Sequence, residues 1–312
     1  MPVWILLAVA AQFLNAIVSL LDKYIVTDTR VLPNPFVYAF YTSALSGASI
    51  VIFLLSGIPL PIEGVSFPSI TKVSFPSLDI IAFSILAAYT FFYAIVSMFT
   101  ALQKSDASDV VPVVGAVSAA SSLGLGYLFL DENLSPNVLT GMILLAAGTA
   151  LASRFRFSLS VAFSSIHAGI FFGLHFIVLK WLFDITSFED GFFWTRVGIV
   201  AFGLSLLLVP DYAAQIFHQT RATGKRAGAL ILTSKVLAGL AGILVLKATE
   251  LGDVSTVQAL GGLQYVLIFV FSLLLGPYGP NICSEGVCTQ EELVQKAIFI
   301  FIIAFGFFVL FV

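Results

Sequence analysis

Charge is what this sequence has least of. Asp, Glu, Lys and Arg make up 10 % of its 312 residues, where a soluble domain carries about 25 %. A net charge of −3 and the lack of any basic run exclude a partner held through nucleic-acid phosphates. The three histidines include no pair at metal-ligand spacing, and Cys283 and Cys288 form a C-x4-C pair without an adjacent histidine, a poor zinc signal. Gly124 and Gly126 do not make a phosphate loop, and no nucleophile–base set is present. The expectation is a protein that is not an enzyme and has no cofactor. No basic segment precedes the first apolar run, which therefore reads as a retained span and not a cleaved signal peptide.

What the chain has in excess is apolar surface. Hydrophobic residues reach 59 %, phenylalanine alone numbers 31, and mean hydropathy is +1.06. A membrane span needs about 20 mostly apolar residues. At that length the sequence supplies ten: 3–21, 35–55, 79–101, 109–130, 136–152, 159–182, 191–209, 228–248, 254–276 and 295–312. The expected location is therefore a membrane, with the bacterial cytoplasmic membrane as the specific expectation. The two cysteines fall in one polar loop before the last span, where a disulfide and two free thiols fit equally well.

The ten spans divide into two halves, 1–153 and 154–312. The stretch "ALQKSDASDVVPVVG" from Ala101 aligns without gaps with "ATELGDVSTVQALGG" from Ala248, with five identities in fifteen positions. "LLDKY" closes span 1 and "IVLKW" closes span 6, matching Lys23 with Lys180 and Tyr24 with Trp181. Acidic connectors, "DENL" at Asp131 and "QEEL" at Gln290, then precede a final span with a central glycine in each half. Shared landmarks in one order mark an internal duplication. Two five-span copies in one chain must lie in opposite orientations, and inverted repeats with a midplane site are how alternating-access transporters are built.

The pattern resembles the EamA family of the drug/metabolite transporter superfamily. The residues that carry the likeness are Lys23, "SDASDVVPVV" before a proline-containing fourth span, "DENLSPNVLTG" and the glycine-bearing "LLAAGTAL". The second half follows it less closely: Ala259 stands at the position of Pro112, and the last connector has a long insertion around the cysteines. The resemblance implies an all-α integral membrane fold of ten transmembrane helices in two inverted five-helix repeats. It also implies a substrate site between spans 3–4 and 8–9.

Ionisable groups at membrane depth cost about 2.5–3.5 kcal/mol on insertion scales and are candidates for function. Arg196 in span 7 and Lys235 in span 8 enter from opposite sides, each roughly 8–11 Å below its own surface. No acid lies equally deep by this reading, since Asp22, Asp109, Glu250 and Asp253 sit near span ends. The expectation is a positively charged cavity for an anionic or carboxylate-bearing solute. The competing reading has both cations snorkelling to the interface or bonded to carbonyls. Gln12, Asn15 and Ser19 share a face of span 1, as a pathway wall or as interhelical glue. His175 in span 6 is a further candidate, or a packing histidine. Gln258 and Tyr265 share a face of span 9, beside Gly261 and Gly262, which permit close approach or a bend. The "GIFFG" motif from Gly169 to Gly173 marks a close helix contact.

Lys and Arg are unevenly placed. Odd-numbered loops hold nine and even-numbered loops three, which puts the odd loops in the cytoplasm and the termini outside. The resemblance implies the opposite, termini inside. The functional expectation is a secondary transporter that exports a small organic metabolite, an amino acid or other carboxylate, by alternating access. Its partners would be that solute, the bilayer and a coupling ion, because no nucleotide motif supplies energy. One rival is a flippase or exchanger of a lipid-linked or phosphorylated sugar, which calls for more than two buried cations. Another is a membrane partner protein that does not transport and so tolerates loss of every intramembrane polar group.

Overall fold

The computed structural model describes residues 2–28, 31–56, 67–105, 107–129, 136–152 and 158–275, with isolated helical positions at 298, 302, 305, 306 and 309. Among the described residues there are helices and no strand. In hydrocarbon every backbone group must be bonded internally, and apolar runs of this length meet that demand only as helices. They are α1 (Val3–Thr27), α2 (Pro35–Ser46), α3 (Leu78–Lys104), α4 (Ala107–Phe129), α5 (Pro136–Ala152), α6 (Leu159–Ile185), α7 (Phe188–Ser205), α8 (Pro210–Ala222), α9 (Lys225–Leu251), α10 (Val254–Ala259) and α11 (Gly262–Leu275). Polar side chains set several starts. Asn34 accepts from the amides of Phe36 and Val37 ahead of α2, and Ser77, Ser158 and Ser187 cap α3, α6 and α7. Counting the 3-10 extensions of α2 (Gly47–Leu55) and α7 (Leu206–Leu208), seven helices among the described residues are long and apolar enough to cross a membrane.

Two departures from the expected arrangement stand out. Span 9 is not one helix: it is broken at Leu260–Gly261 into α10 and α11, with Gly261 N–H bonded to the Gln258 carbonyl at 3.0 Å. The connection before α9, expected as a loop, contains the short helix α8, which has Asp211 in its first turn and Arg221 in its last. Its Tyr212 ring lies 4.9 Å from that of Phe36, and its Thr220 hydroxyl bonds that of Tyr41. Span 10 and the Cys283–Cys288 loop lie outside the described residues, apart from the isolated positions.

The packing places α6 against both α3 and α4, and α1 along α9. The glycines of the "GIFFG" motif explain the first contact. A Cβ on Gly169 would stand 2.7 Å from the Val114 carbonyl oxygen, and one on Gly173 2.9 Å from that of Ser118. This small-residue motif therefore joins α6 to α4 within the chain.

The twin stretches end their helices alike. Ser105 (φ −148°, ψ 166°) and Gly252 (φ −135°, ψ 176°) are both extended, and their amides bond the carbonyls of Ala101 and Ala248 at 3.0 and 2.9 Å. The aligned lysines meet these same helix ends. Lys23 Nζ donates to the Leu102 and Ser105 carbonyls at 3.0 and 2.8 Å, and Lys180 Nζ to that of Glu250 at 3.3 Å.

Candidate functional site

A cavity of about 280 Å³ lies among these helices, with walls from both halves of the chain. Gln12, Asn15, His175, Arg196, Lys235, Gln258 and Tyr265, the seven candidates from the sequence, all line it. Their company corrects the expectation that no acid lies equally deep. Asp22 lines the same cavity, is only 3 % exposed, and pairs with Lys235 at 3.1 Å. A residue near the end of α1 reaches this depth because α1 extends to Thr27, six residues beyond the expected end of span 1 at 21. Lys235 is therefore not a free cation. Its Nζ also lies 4.2 Å from the ring centroid of Tyr38 and 5.3 Å from that of Phe99, an aromatic setting that suits a desolvated ammonium.

Arg196 differs. Its Nε is buried without a hydrogen-bond partner among the described residues, and no ion pair to it is found among them. The nearby ring of Phe192, 5.2 Å from the guanidinium carbon, supplies a π face and no acceptor oxygen. A buried donor without an acceptor is costly unless something enters to bond it. Asp22, Lys235 and Arg196 leave the lining with one cation in excess.

Amides and hydroxyls make up much of the remaining polar lining. Asn15 donates to Gln12 Oε1 at 3.4 Å, and Gln264 Nε2 bonds the Asn15 carbonyl at 3.2 Å and Ser19 Oγ at 2.8 Å. Ser118 donates to Gln258 Oε1 at 3.4 Å. These contacts show the amides serving helix packing and the cavity surface together. His175 Nδ1 lies 3.0 Å from the Ala87 carbonyl oxygen, which orients the ring and leaves Nε2 for other partners. Tyr265 reaches α4 because Gly115 has no side chain: a Cβ there would stand 1.3 Å from the tyrosine oxygen. The α10–α11 break adjoins the cavity through Gln258, Gly261 and Gln264.

Asp22, Gln264, Tyr38 and Ser234 belong to this constellation and were not among the sequence candidates. One signal was available for Asp22. It continues the Gln12, Asn15, Ser19 stripe at helical spacing. Tyr38 and Ser234 carry no such pattern, since both are defined by their contact with Asp22.

A solved crystal structure of a protein, 16 % identical, matches with a TM-score of 0.65 over 99 % of this chain and 96 % of its own, which shows a shared fold. No curated protein matches the chain. Residues 2–154 match the model of the EamA-like transporter family, a family of transporters and not of enzymes. The chain is thus a multi-pass membrane protein whose residues 2–154 are those of the EamA-like transporter family, part of the drug/metabolite transporter superfamily.

Proposed function

We propose that the protein moves a small organic solute bearing a carboxylate, an amino acid or similar metabolite, outward across a bacterial cytoplasmic membrane. It does so by alternating access between two inverted halves, 1–153 and 154–312. The observation that carries this reading is Arg196, a cation on the cavity wall whose buried Nε has no acceptor among the described residues. An incoming carboxylate would supply the missing acceptor through a charge-assisted pair. The matching ends of α3 and α9, each met by the aligned lysine, support the division into repeats. A phosphorylated sugar would call for more than one uncompensated cation, and Asp22 neutralises Lys235.

Counterflow in proteoliposomes tests this, using labelled alanine, lactate and succinate as zwitterion, monoanion and dianion. At least one should exchange. Arg196→Gln should cut that exchange by about tenfold or more, as expected for loss of a charged hydrogen bond of roughly 1.5–3 kcal/mol. Equal exchange by the variant removes the role of Arg196, and no exchange of any probe removes carboxylate transport.

A further inference from the structure

The Asp22–Lys235 pair is more than a salt bridge between two side chains. Three donors converge on a single oxygen, Asp22 Oδ1: the Tyr38 hydroxyl, Ser234 Oγ at 2.8 Å and Lys235 Nζ at 3.1 Å. Among the described residues none is directed at Oδ2. The donors belong to α2 and α9, the acceptor to α1, so the group that is held and the groups that hold it sit on different helices. Tyr38 and Ser234 are fully buried, while Asp22 and Lys235 form part of the cavity wall. Two neutral hydroxyls and one ammonium make a compact donor set with a single positive charge. That set matches a carboxylate, and it is weak for a phosphate dianion.

We propose that Tyr38, Ser234 and Lys235 form a carboxylate-binding cradle whose resting occupant is Asp22, and that the carboxylate of the solute takes its place. Pulling the pair apart without replacement would strand an ammonium in a low-dielectric site. Exchange of one carboxylate for another keeps Lys235 paired throughout. Asp22 then turns into the cavity it already borders, past Ser19 and the Gln264 amide one helical turn away. The exchange also loosens the polar tie between α1 and α9, so occupancy by solute and movement of the two halves become one event. This inference rests on the carboxylate-transport reading for its purpose, but the cradle itself is testable without transport.

Asp22→Ala empties the cradle. Purified in detergent, the variant should unfold at a lower temperature than wild type and regain most of that loss in sodium acetate. Sodium chloride at equal ionic strength should give no recovery. Acetamide, which has the shape of acetate without its charge, should give none either. Adding Lys235→Gln to the Asp22→Ala variant should abolish the acetate response. Recovery in acetamide, recovery in inorganic phosphate in place of acetate, or no recovery at all overturns the proposal and leaves the pair a structural staple.

Asp22→Asn keeps the shape and loses the charge, so it carries the test if the alanine variant does not fold. Its midpoint for stabilisation by acetate should lie about tenfold or more below that of wild type, where the native carboxylate competes. Equal midpoints overturn the idea. A cradle that binds acetate in a protein that moves no probe fails only the transport reading. Counterflow with a cradle that ignores acetate fails only this one.

Discussion

Lys23 closes α1 by holding the end of a different helix. The last carbonyls of α3 have no partner within their own helix and need donors. The Lys23 ammonium gives bonds of 3.0 and 2.8 Å to two of them, and it meets the negative end of the helix dipole. Lys180 repeats the arrangement on α9 with one bond of 3.3 Å, and also faces Asp184 at 3.4 Å. Lys23→Met should therefore cost about 2 kcal/mol and Lys180→Met about 1 kcal/mol, by the net worth of charged hydrogen bonds. Thermal unfolding in detergent checks the order, and a larger loss at Lys180 would contradict it. The correspondence of the two lysines was legible in the sequence because both follow an apolar run at matching positions. Their acceptors were not, since a backbone carbonyl has no residue code. Asp22 was misjudged for a related reason. Its partner Lys235 lies 213 residues away, and only folding shows that a residue near the end of one span faces the middle of another.

At the scale of elements, α4 and the α10–α11 segment align in sequence and have opposite outcomes. Pro112 lies in the second turn of α4, and α4 still runs unbroken from Ala107 to Phe129. Its aligned partner has no proline and breaks one residue later, at Leu260–Gly261. The consecutive glycines account for the difference. Each weakens a helix by about 1 kcal/mol relative to alanine, and Gly261 closes a tight turn on the Gln258 carbonyl. The glycines showed in the sequence that span 9 permits a bend. Whether they serve bending or close approach depended on the neighbours, and the structure shows the bend. Gly261 sits in the break, while Gly115 on α4 makes room for Tyr265. Gly115→Ala should thus lower stability by about 1–3 kcal/mol through overpacking. The same change at Gly124, which has nothing within 4 Å of a new Cβ, should be neutral or slightly stabilising. Unfolding temperatures of the two variants decide it, and equal losses would deny that Tyr265 is seated by Gly115.

At the scale of the whole molecule, the charges separate into two faces. α1 and α3 end, and α4, α6 and α9 begin, on the face that carries Lys23, Lys104, Arg221, Lys225 and Arg226. The other face carries Lys72, Lys180 and Lys247, paired with Glu189, Asp184 and Glu250 at 3.0, 3.4 and 2.6 Å. The basic face should be cytoplasmic because Lys and Arg resist translocation whatever acids accompany them. That orientation is opposite to the one the family resemblance implies, and accessible cysteines separate the two. In a background with Cys283→Ser and Cys288→Ser, Thr71→Cys should react with an impermeant maleimide in intact cells. His218→Cys on α8 should react only after the cells are opened. Both positions are exposed on their faces, so reagent access reports sidedness and not burial. The reverse pattern would put the basic face outside. The outcome also orients the ion pair. Asp22 lies five residues before the end of α1, about 8 Å from the basic face. If that face is cytoplasmic, a solute leaving the cell reaches Asp22 and Lys235 before it reaches Arg196, which enters from the far side on α7.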